Sequence, residues 1–365
     1  MFPSDAPSSA RVAIVLVNWN GWRDCIECID SVLAQGHRDF HVFIVDNDSH
    51  DGSVEHIAAW CAEPQPGPDW RRHPGVDRYT DQPARGAVPN RVVDRADEGL
   101  PAADKDCMLT LIRSGGNLGF AGGCNVGIRA AGLNDFSCFW FLNADTVVER
   151  GALIELLLRA RRQPRMGIVG STLLFYHAPD TVHALAGGRL NRSNASSSHI
   201  GEHVPLSAVG IDESEVEREL AFVCGASMLV SMQFIREIGL MQEDYFLYYE
   251  DADWSMRAQD RFKLGFARRS LVFHKHGAQS SKILPLFTAG VFYRSRLRFV
   301  RRFMPDRMAA ARRTLFMEML RHVARGRWAM ARVVGSTLFG SRTAVRRSTR
   351  TMQPAPDAAP PSPRS

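Results

Sequence analysis

A chain of 365 residues, 45% hydrophobic and 23% charged, is long enough to bury a sizeable core, which excludes a wholly disordered or fibrous protein. The net charge of +6 is uneven: residues 291–350 hold sixteen arginines against one Asp and one Glu, which leaves the first 290 residues at −8. An acidic body with a basic tail excludes a uniformly basic nucleic-acid binder and directs the tail toward anionic surfaces.

The first ten residues lack the basic start and apolar centre of a secretory signal. The run 11–18, RVAIVLVN, reads as a buried strand ending in polar residues. A helix over 22–35 follows, then a second strand over 41–46 and a second helix over 53–62. Cys25 and Cys28 form a CxxC inside the first helix, but no second pair follows at zinc-finger spacing. The seven cysteines are therefore expected to be structural thiols, in keeping with a reducing cytosol. Residues 63–106 are rich in Pro, Asp, Arg and Gly and are expected to form a surface insertion. Strands are expected over 107–113, 137–142, 166–174, 222–230 and 266–273, with helices over 151–162 and 250–261. Between them lie a glycine-rich turn at 115–123 and a polar stretch, 176–218, of hairpins and loop. The alternation of near-continuous apolar strands with helices predicts an α/β fold with a mostly parallel sheet covered on both faces. Ligands of such sheets bind beyond the carboxyl ends of the strands.

That edge is where the acids fall. Asp46 ends the second strand, Asp145 follows the strand at 137–142, Glu250, Asp251 and Asp253 open a helix, and His274 ends the last strand. Grouped carboxylates repel unless a cation joins them. Oxygen ligands suit Mg²⁺ or Mn²⁺, and a histidine favours Mn²⁺. Asp251 and Trp254 share a helix face, where an aromatic ring beside a carboxylate suits a sugar; Glu250 and Asp253 share another. The competing reading is that these acids only cap the helix.

Five motifs occur in order: VLVNWN at 15–20, IVDNDS at 44–49, NLGFAGGCNVG at 117–127, FLNAD at 141–145 and YYEDADW at 248–254. With them, residues 11–282 resemble the family 2 glycosyltransferases, in the rhamnosyltransferase-like and galactofuranosyltransferase-like branch. The resemblance implies a GT-A fold, a nucleotide-sugar donor such as dTDP-rhamnose, a polysaccharide or lipid-linked glycan acceptor, and inversion at the anomeric carbon. By the same resemblance Asn18, Asp46 and Asn47 hold the nucleoside, and Asp145 and His274 bind the metal, with Asn143 where the family has a first acid. Asp251 matches the general base, and Glu250 and Trp254 face the acceptor. Asn117, Gly119 and Asn125 of the glycine-rich stretch are expected to meet the donor, and Arg113 its diphosphate. That stretch does not match the GxGxxG of dinucleotide-binding proteins. A sugar nucleotidyltransferase or an inactive scaffold are the alternatives.

Beyond residue 282 the chain reads as a basic amphipathic helical extension, 283–345, and a disordered tail, 346–365. Tyr293, Leu297, Val300 and Met304 share one helical face and arginines fill another, the pattern of a segment lying on an anionic membrane. A helical hairpin packed on the catalytic domain is the competing arrangement. No recognised nucleic-acid motif is present, and no apolar run reaches the ~18–20 residues that span a bilayer. The expected location is cytoplasmic, on the inner face of the membrane, with a homo-oligomer left open.

Overall fold

The first strand, β1 (Val12–Asn18), alternates its side chains between two buried layers. Val12, Ile14 and Leu16 enter one layer, while Ala13, Val15 and Val17 enter the other. This two-sided burial is what a near-continuous apolar strand demands. The computed structural model describes residues 10–63, 72–80, 86–94, 107–191, 193–194, 196–210, 212–275 and 285–340.

The chain continues through α1 (Trp22–Leu33), β2 (Phe40–Asp46), α2 (Ser53–Ala62), α3 (Pro74–Asp77), β3 (Asn90–Asp94) and β4 (Leu109–Arg113). Then come α4 (Gly119–Ala131), β5 (Cys138–Asn143), β6 (Thr146–Val148), α5 (Ala152–Arg161), β7 (Met166–Phe175) and β8 (Ala178–Leu185). The next elements are β9 (Gly187–Leu190), β10 (Ser197–His199), α6 (Glu213–Glu219), β11 (Phe222–Val223), β12 (Ser227–Ser231), α7 (Met232–Ile238), α8 (Glu250–Met256) and β13 (Lys263–His274). Three helices close the described chain: α9 (Pro285–Phe303), α10 (Met308–Ala324) and α11 (Trp328–Phe339).

The main sheet runs β3-β4-β2-β1-β5-β12-β7-β13-β6, with β8 paired to β7. Its first five strands are parallel, and β12 enters antiparallel between β5 and β7. Helices α1, α2 and α5 cover one face, and α4, α7 and α8 the other. A small second sheet, β10-β9-β11, lies beside it. The chain runs outward from β1 in both directions, so a crevice opens at the carboxyl ends of β1, β2 and β5.

Two stretches differ from the sequence expectation. The stretch 63–106, expected as a surface insertion, contributes the edge strand β3, paired in parallel to β4 from Asn90↔Leu109 to Asp94↔Arg113. The glycine-rich stretch, expected as a turn, is mostly the helix α4. Its glycines answer a packing demand: a Cβ at Gly123 would lie 2.7 Å from Val17 Cγ1, and one at Gly127 2.5 Å from Val15 Cγ1. All seven cysteines are free, and burial pushes the Cys28 thiol up to about 12, as inert structural thiols require.

The apolar face expected to lie on a membrane is spent inside the protein. In α9, Tyr293 and Val300 are buried, and Phe292 and Phe299 pack against Tyr249. Among the described residues, no helix is long and apolar enough to cross a membrane. The tail 346–365 lies outside the described residues.

Gly127→Ala is expected to destabilise the protein by ~1–3 kcal/mol through overpacking against Val15. The urea midpoint reports it, and an unchanged midpoint would contradict the contact.

Candidate active site

Strand register brings polar residues into one row. Asn18 pairs with Asp46, Asp46 with Arg113, Arg113 with Asp94, and Val17 with Asn143. The carboxyl ends of five parallel strands therefore carry the site's first half.

At the β1–β2 end, the Asp46 carboxylate accepts from Asn18 Nδ2 at 2.9 Å, from Ser49 Oγ at 2.7 Å and from the Ser49 backbone N–H at 3.0 Å. Asn47 Nδ2 donates to the Gly119 carbonyl at 2.9 Å. The side-chain oxygens Asn18 Oδ1 and Asn47 Oδ1 are buried without a hydrogen-bond partner among the described residues. Buried acceptors of this kind call for a donor. Beside them opens a cavity of about 590 Å³, lined by Asp46, Asp48, Ser49, Glu55, Asp94 and Arg113 among others. It has the size of a small-molecule site.

At the β5–β13 end, Asp145 Oδ1 lies 3.2 Å from His274 Nε2, and Asn143 Nδ2 lies 3.2 Å from the same nitrogen. Neighbouring ligands on an octahedral ion with ~2.1 Å bonds sit about 3 Å apart, so the Asp145–His274 pair fits one divalent ion. Asn143 can add its amide oxygen by turning over. Burial raises the Asp145 carboxyl, but the His274 imidazole, the local N–H and Lys275 outweigh it, holding the acid below its ordinary range. It is thus an anion ready for a cation. Lys275 is itself fixed by Asp24 and Glu27, each at 2.5 Å.

The third group is at the start of α8. Asp251 accepts from the Gly225 N–H at 3.0 Å and the Ala252 N–H at 2.7 Å. Burial lifts its carboxyl above the ordinary value despite these bonds. Glu250 beside it is pushed well up by burial and then by the Asp251 charge. Tyr248 and Tyr249, which lead into α8, both hold left-handed backbone, φ 66° and 68°. Such strain gathers at functional sites. The turn before β12 joins this group to the Asp145–His274 end: Gly225 donates to Asp251, and Ala226 accepts from the Asn143 N–H at 3.2 Å.

The model of glycosyl transferase family 2 matches residues 13–73 and 89–196, which hold Asn18, Asp46, Asn143 and Asp145. The match covers 169 of the 365 residues, so this part of the chain is similar to the glycosyl transferase family 2 model. The chain resembles solved structures of the same fold. One is GalNAc-T7 with UDP, GalNAc and Mn²⁺, at 15% identity and TM-score 0.52, over 80% of this chain and 48% of that one. Another is the mannosyltransferase PcManGT from Pyrobaculum calidifontis in complex with GDP-Man and Mn²⁺, at 13% identity and TM-score 0.50, over 92% of this chain and 77% of that one. The chain thus spans about half the length of the first of these. The likeness establishes a GT-A-like α/β fold followed by helices. No curated protein matches the chain.

Several residues expected at the site do other work. Trp254, expected to face the acceptor, is 0% exposed; it packs on Phe141 and Phe234 and donates Nε1–H to the Gly239 carbonyl. Asn125, expected to meet the donor, binds the Met241 carbonyl, the Met241 N–H and Glu243, so its amide is fully used in pinning a loop. Gly119 is fixed by crowding: a Cβ there would lie 2.1 Å from the Phe246 carbonyl oxygen, and φ is +70°. It seats the 246–249 loop, not the donor. Glu250 is buried, which removes it from an acceptor surface. Asn117 accepts from the Gly119 N–H in a local turn. Arg113 lines the cavity and is paired with Glu55 at 3.3 Å and Asp94 at 3.7 Å, so a diphosphate there would have to compete with two acids. Ser49, Glu55 and Asp94 were not singled out from sequence. Ser49, three residues after Asp46 in a loop of capping residues, was the one with a legible signal.

Asp253 is 0% exposed and held by Arg257 Nε and Arg302 Nη1, both at 2.9 Å. Arg302→Ala is expected to lower stability by ~1–3 kcal/mol, since it leaves a buried charge half-compensated. Chemical denaturation measures it, and an unaltered midpoint would count against the role of the pair.

Proposed function

We propose that the protein is an inverting, metal-dependent glycosyltransferase that takes a sugar from a nucleoside diphosphate sugar, with dTDP-rhamnose the leading donor. The acceptor is a hydroxyl of a polysaccharide or lipid-linked glycan in cell-envelope synthesis. The observation that carries this reading is the pairing of an ionised Asp145 with His274 at one end of a sheet edge whose other end holds the Asp46 cavity.

The residues divide the work. The orphan oxygens of Asn18 and Asn47, beside Asp46, suit the N–H of a pyrimidine base. Asp145 and His274, with the Asn143 amide, hold Mn²⁺ or Mg²⁺, which neutralises the diphosphate leaving group as a Lewis acid. The Mn²⁺ bound in both similar structures supports that choice. Asp251, oriented by the Gly225 and Ala252 N–H groups, takes the proton of the attacking hydroxyl. The rhamnosyltransferase-like and galactofuranosyltransferase-like resemblance of the five motifs supports the donor choice.

Asp251→Asn is expected to lower kcat by ~10²–10⁴-fold with donor binding kept, the range for loss of a general base. Asp145→Ala is expected to lower donor affinity in the presence of Mn²⁺. Transfer assays with donor binding by calorimetry separate the two, and full transfer by both variants would sink the proposal. Only the ionised Asp251 can act as base, and its carboxyl is raised. The rate should therefore fall as pH drops through a value above the ordinary 3.8 of an aspartate. A kcat–pH profile flat down to that value would contradict the assignment.

The membrane reading moves from α9 to the two helices after it. Phe316, Met317 and Leu320 of α10, with Trp328 at 63% and Phe339 at 71% of α11, are exposed among Arg313, Arg321, Arg325 and Arg327. Exposed aromatics beside arginines suit the interface of an anionic bilayer, which supports a position on the cytoplasmic membrane face. The protein should sediment with phosphatidylglycerol vesicles and not with phosphatidylcholine vesicles. Leu320→Glu with Trp328→Glu should abolish the association, and sedimentation unaffected by this pair would refute it.

A further inference from the structure

A second constellation of ligand groups lies next to the Asp145–His274 pair. His183 sits on β8, His199 ends β10, and Glu202 lies in the turn that follows. Each offers one ligand atom, and the three atoms all fall within 4.8 Å of one another. The His199 Nδ1 to Glu202 Oε1 distance is 3.9 Å. The His183 and His199 rings meet edge to face, with centroids 4.8 Å apart.

We propose that His183, His199 and Glu202 form a zinc site, distinct from the ion held by Asp145 and His274. The donor set decides the metal. Two imidazoles and one carboxylate form a borderline set that zinc prefers, and three protein ligands leave a fourth position for water. Zinc bonds of ~2.0–2.1 Å put tetrahedral ligand atoms about 3.3 Å apart, so the three ligand atoms, all within 4.8 Å of one another, close the geometry by small side-chain turns. His183 is buried, His199 half-buried and Glu202 exposed, so the site has a dry wall and an open entry. Phe175 supplies part of that wall: it packs on His183 and stacks on His203.

The backbone around the ligands is fixed before any ion arrives. The Ile200 N–H donates to the Gly187 carbonyl, and the His203 N–H donates to the Val182 carbonyl at 2.8 Å. The turn bearing Glu202 is thereby tied to β8 and to the start of β9. A zinc ion would clamp β8, β10 and this turn together. The small sheet ends in β11, which runs into the Gly225 turn that orients Asp251. His183 Nδ1 also lies 3.5 Å from His274 Nδ1, so the two ion positions are neighbours and the test must tell them apart.

Zinc bound to the full-length protein is counted by mass spectrometry after equilibrium dialysis, and its affinity is read against a chromophoric chelator. In the Asp145→Asn protein, one zinc should remain, and adding His199→Ala or Glu202→Gln should weaken it by roughly 10-fold or more. X-ray absorption at the zinc edge should show two imidazole nitrogens in Asp145→Asn. Zinc affinity unchanged by both added substitutions would overturn the site, as would a folded Asp145→Asn protein that holds no zinc. If Asp145→Asn does not fold, His199→Ala and Glu202→Gln are compared with the unaltered chain. Both positions reach solvent, so folding should survive; loss of one zinc equivalent supports the site and no loss refutes it. The readout is zinc itself, so its failure leaves sugar transfer untouched, and failure of sugar transfer leaves it untouched.

Discussion

The turn 224–226 holds the two halves of the site in register through two backbone hydrogen bonds. The Asn143 N–H donates to the Ala226 carbonyl, and the Gly225 N–H donates to the Asp251 carboxylate. The turn is itself held because β12, which follows it, pairs antiparallel with β5 from Ser227↔Leu142 to Ser231↔Cys138. The end of β5, where Asn143 leads to Asp145, is thus at a fixed separation from the start of α8. Gly225 has little room to vary, since a Cβ there would sit 3.3 Å from Phe120 and 3.7 Å from Asp251 Oδ2. The spacing between the Asp145–His274 pair and the Asp251 carboxylate is a property of main-chain geometry more than of any side chain.

Environment then gives two aspartates opposite characters. Asp145 sits against an imidazole, near a lysine, and is held ionised. Asp251 sits beside Glu250, where burial outweighs its backbone hydrogen bonds, and its proton is held longer. Carboxyls driven apart in this way suit separate roles, one as permanent anion and one as proton acceptor. The loop that delivers Asp251 carries left-handed backbone at Tyr248 and Tyr249, which persists only where the surroundings over-determine it. Here the surroundings are the Phe292 and Phe299 rings of α9 on one side and the close seat of Gly119 under Phe246 on the other.

The central strands and the row of polar residues at their ends were legible in the sequence, because a parallel strand buried on both faces leaves an unbroken β-branched run with a polar stop. Asn18, Asp46 and Asp145 lie at or just past such stops. The helix α4 was not legible: glycine disfavours helix, and only the depth to which Gly123 and Gly127 approach Val17 and Val15 explains them. Strand β3 was hidden because it carries only Val92 and Val93 as apolar residues within a stretch rich in turn formers. Trp254 and Asn125 misled for different reasons. Helical spacing places Trp254 on a face but does not say which face meets solvent, whereas Asn125 was read as part of an open loop and is instead committed to partners 116 and 118 positions away. The apolar stripe of α9 had the same ambiguity as Trp254, and packing against α10 and α11 resolved it.

The Asp253–Arg302 contact bears on how the chain can be handled and how it assembles. A truncation after residue 282 would look natural on composition, yet it would strip a guanidinium from a fully enclosed carboxylate and expose Tyr249 and its ring neighbours. The residues before 282 therefore rely on α9 to close over Asp253 and Tyr249, and during synthesis the strained approach to Asp251 is completed only after α9 has left the ribosome.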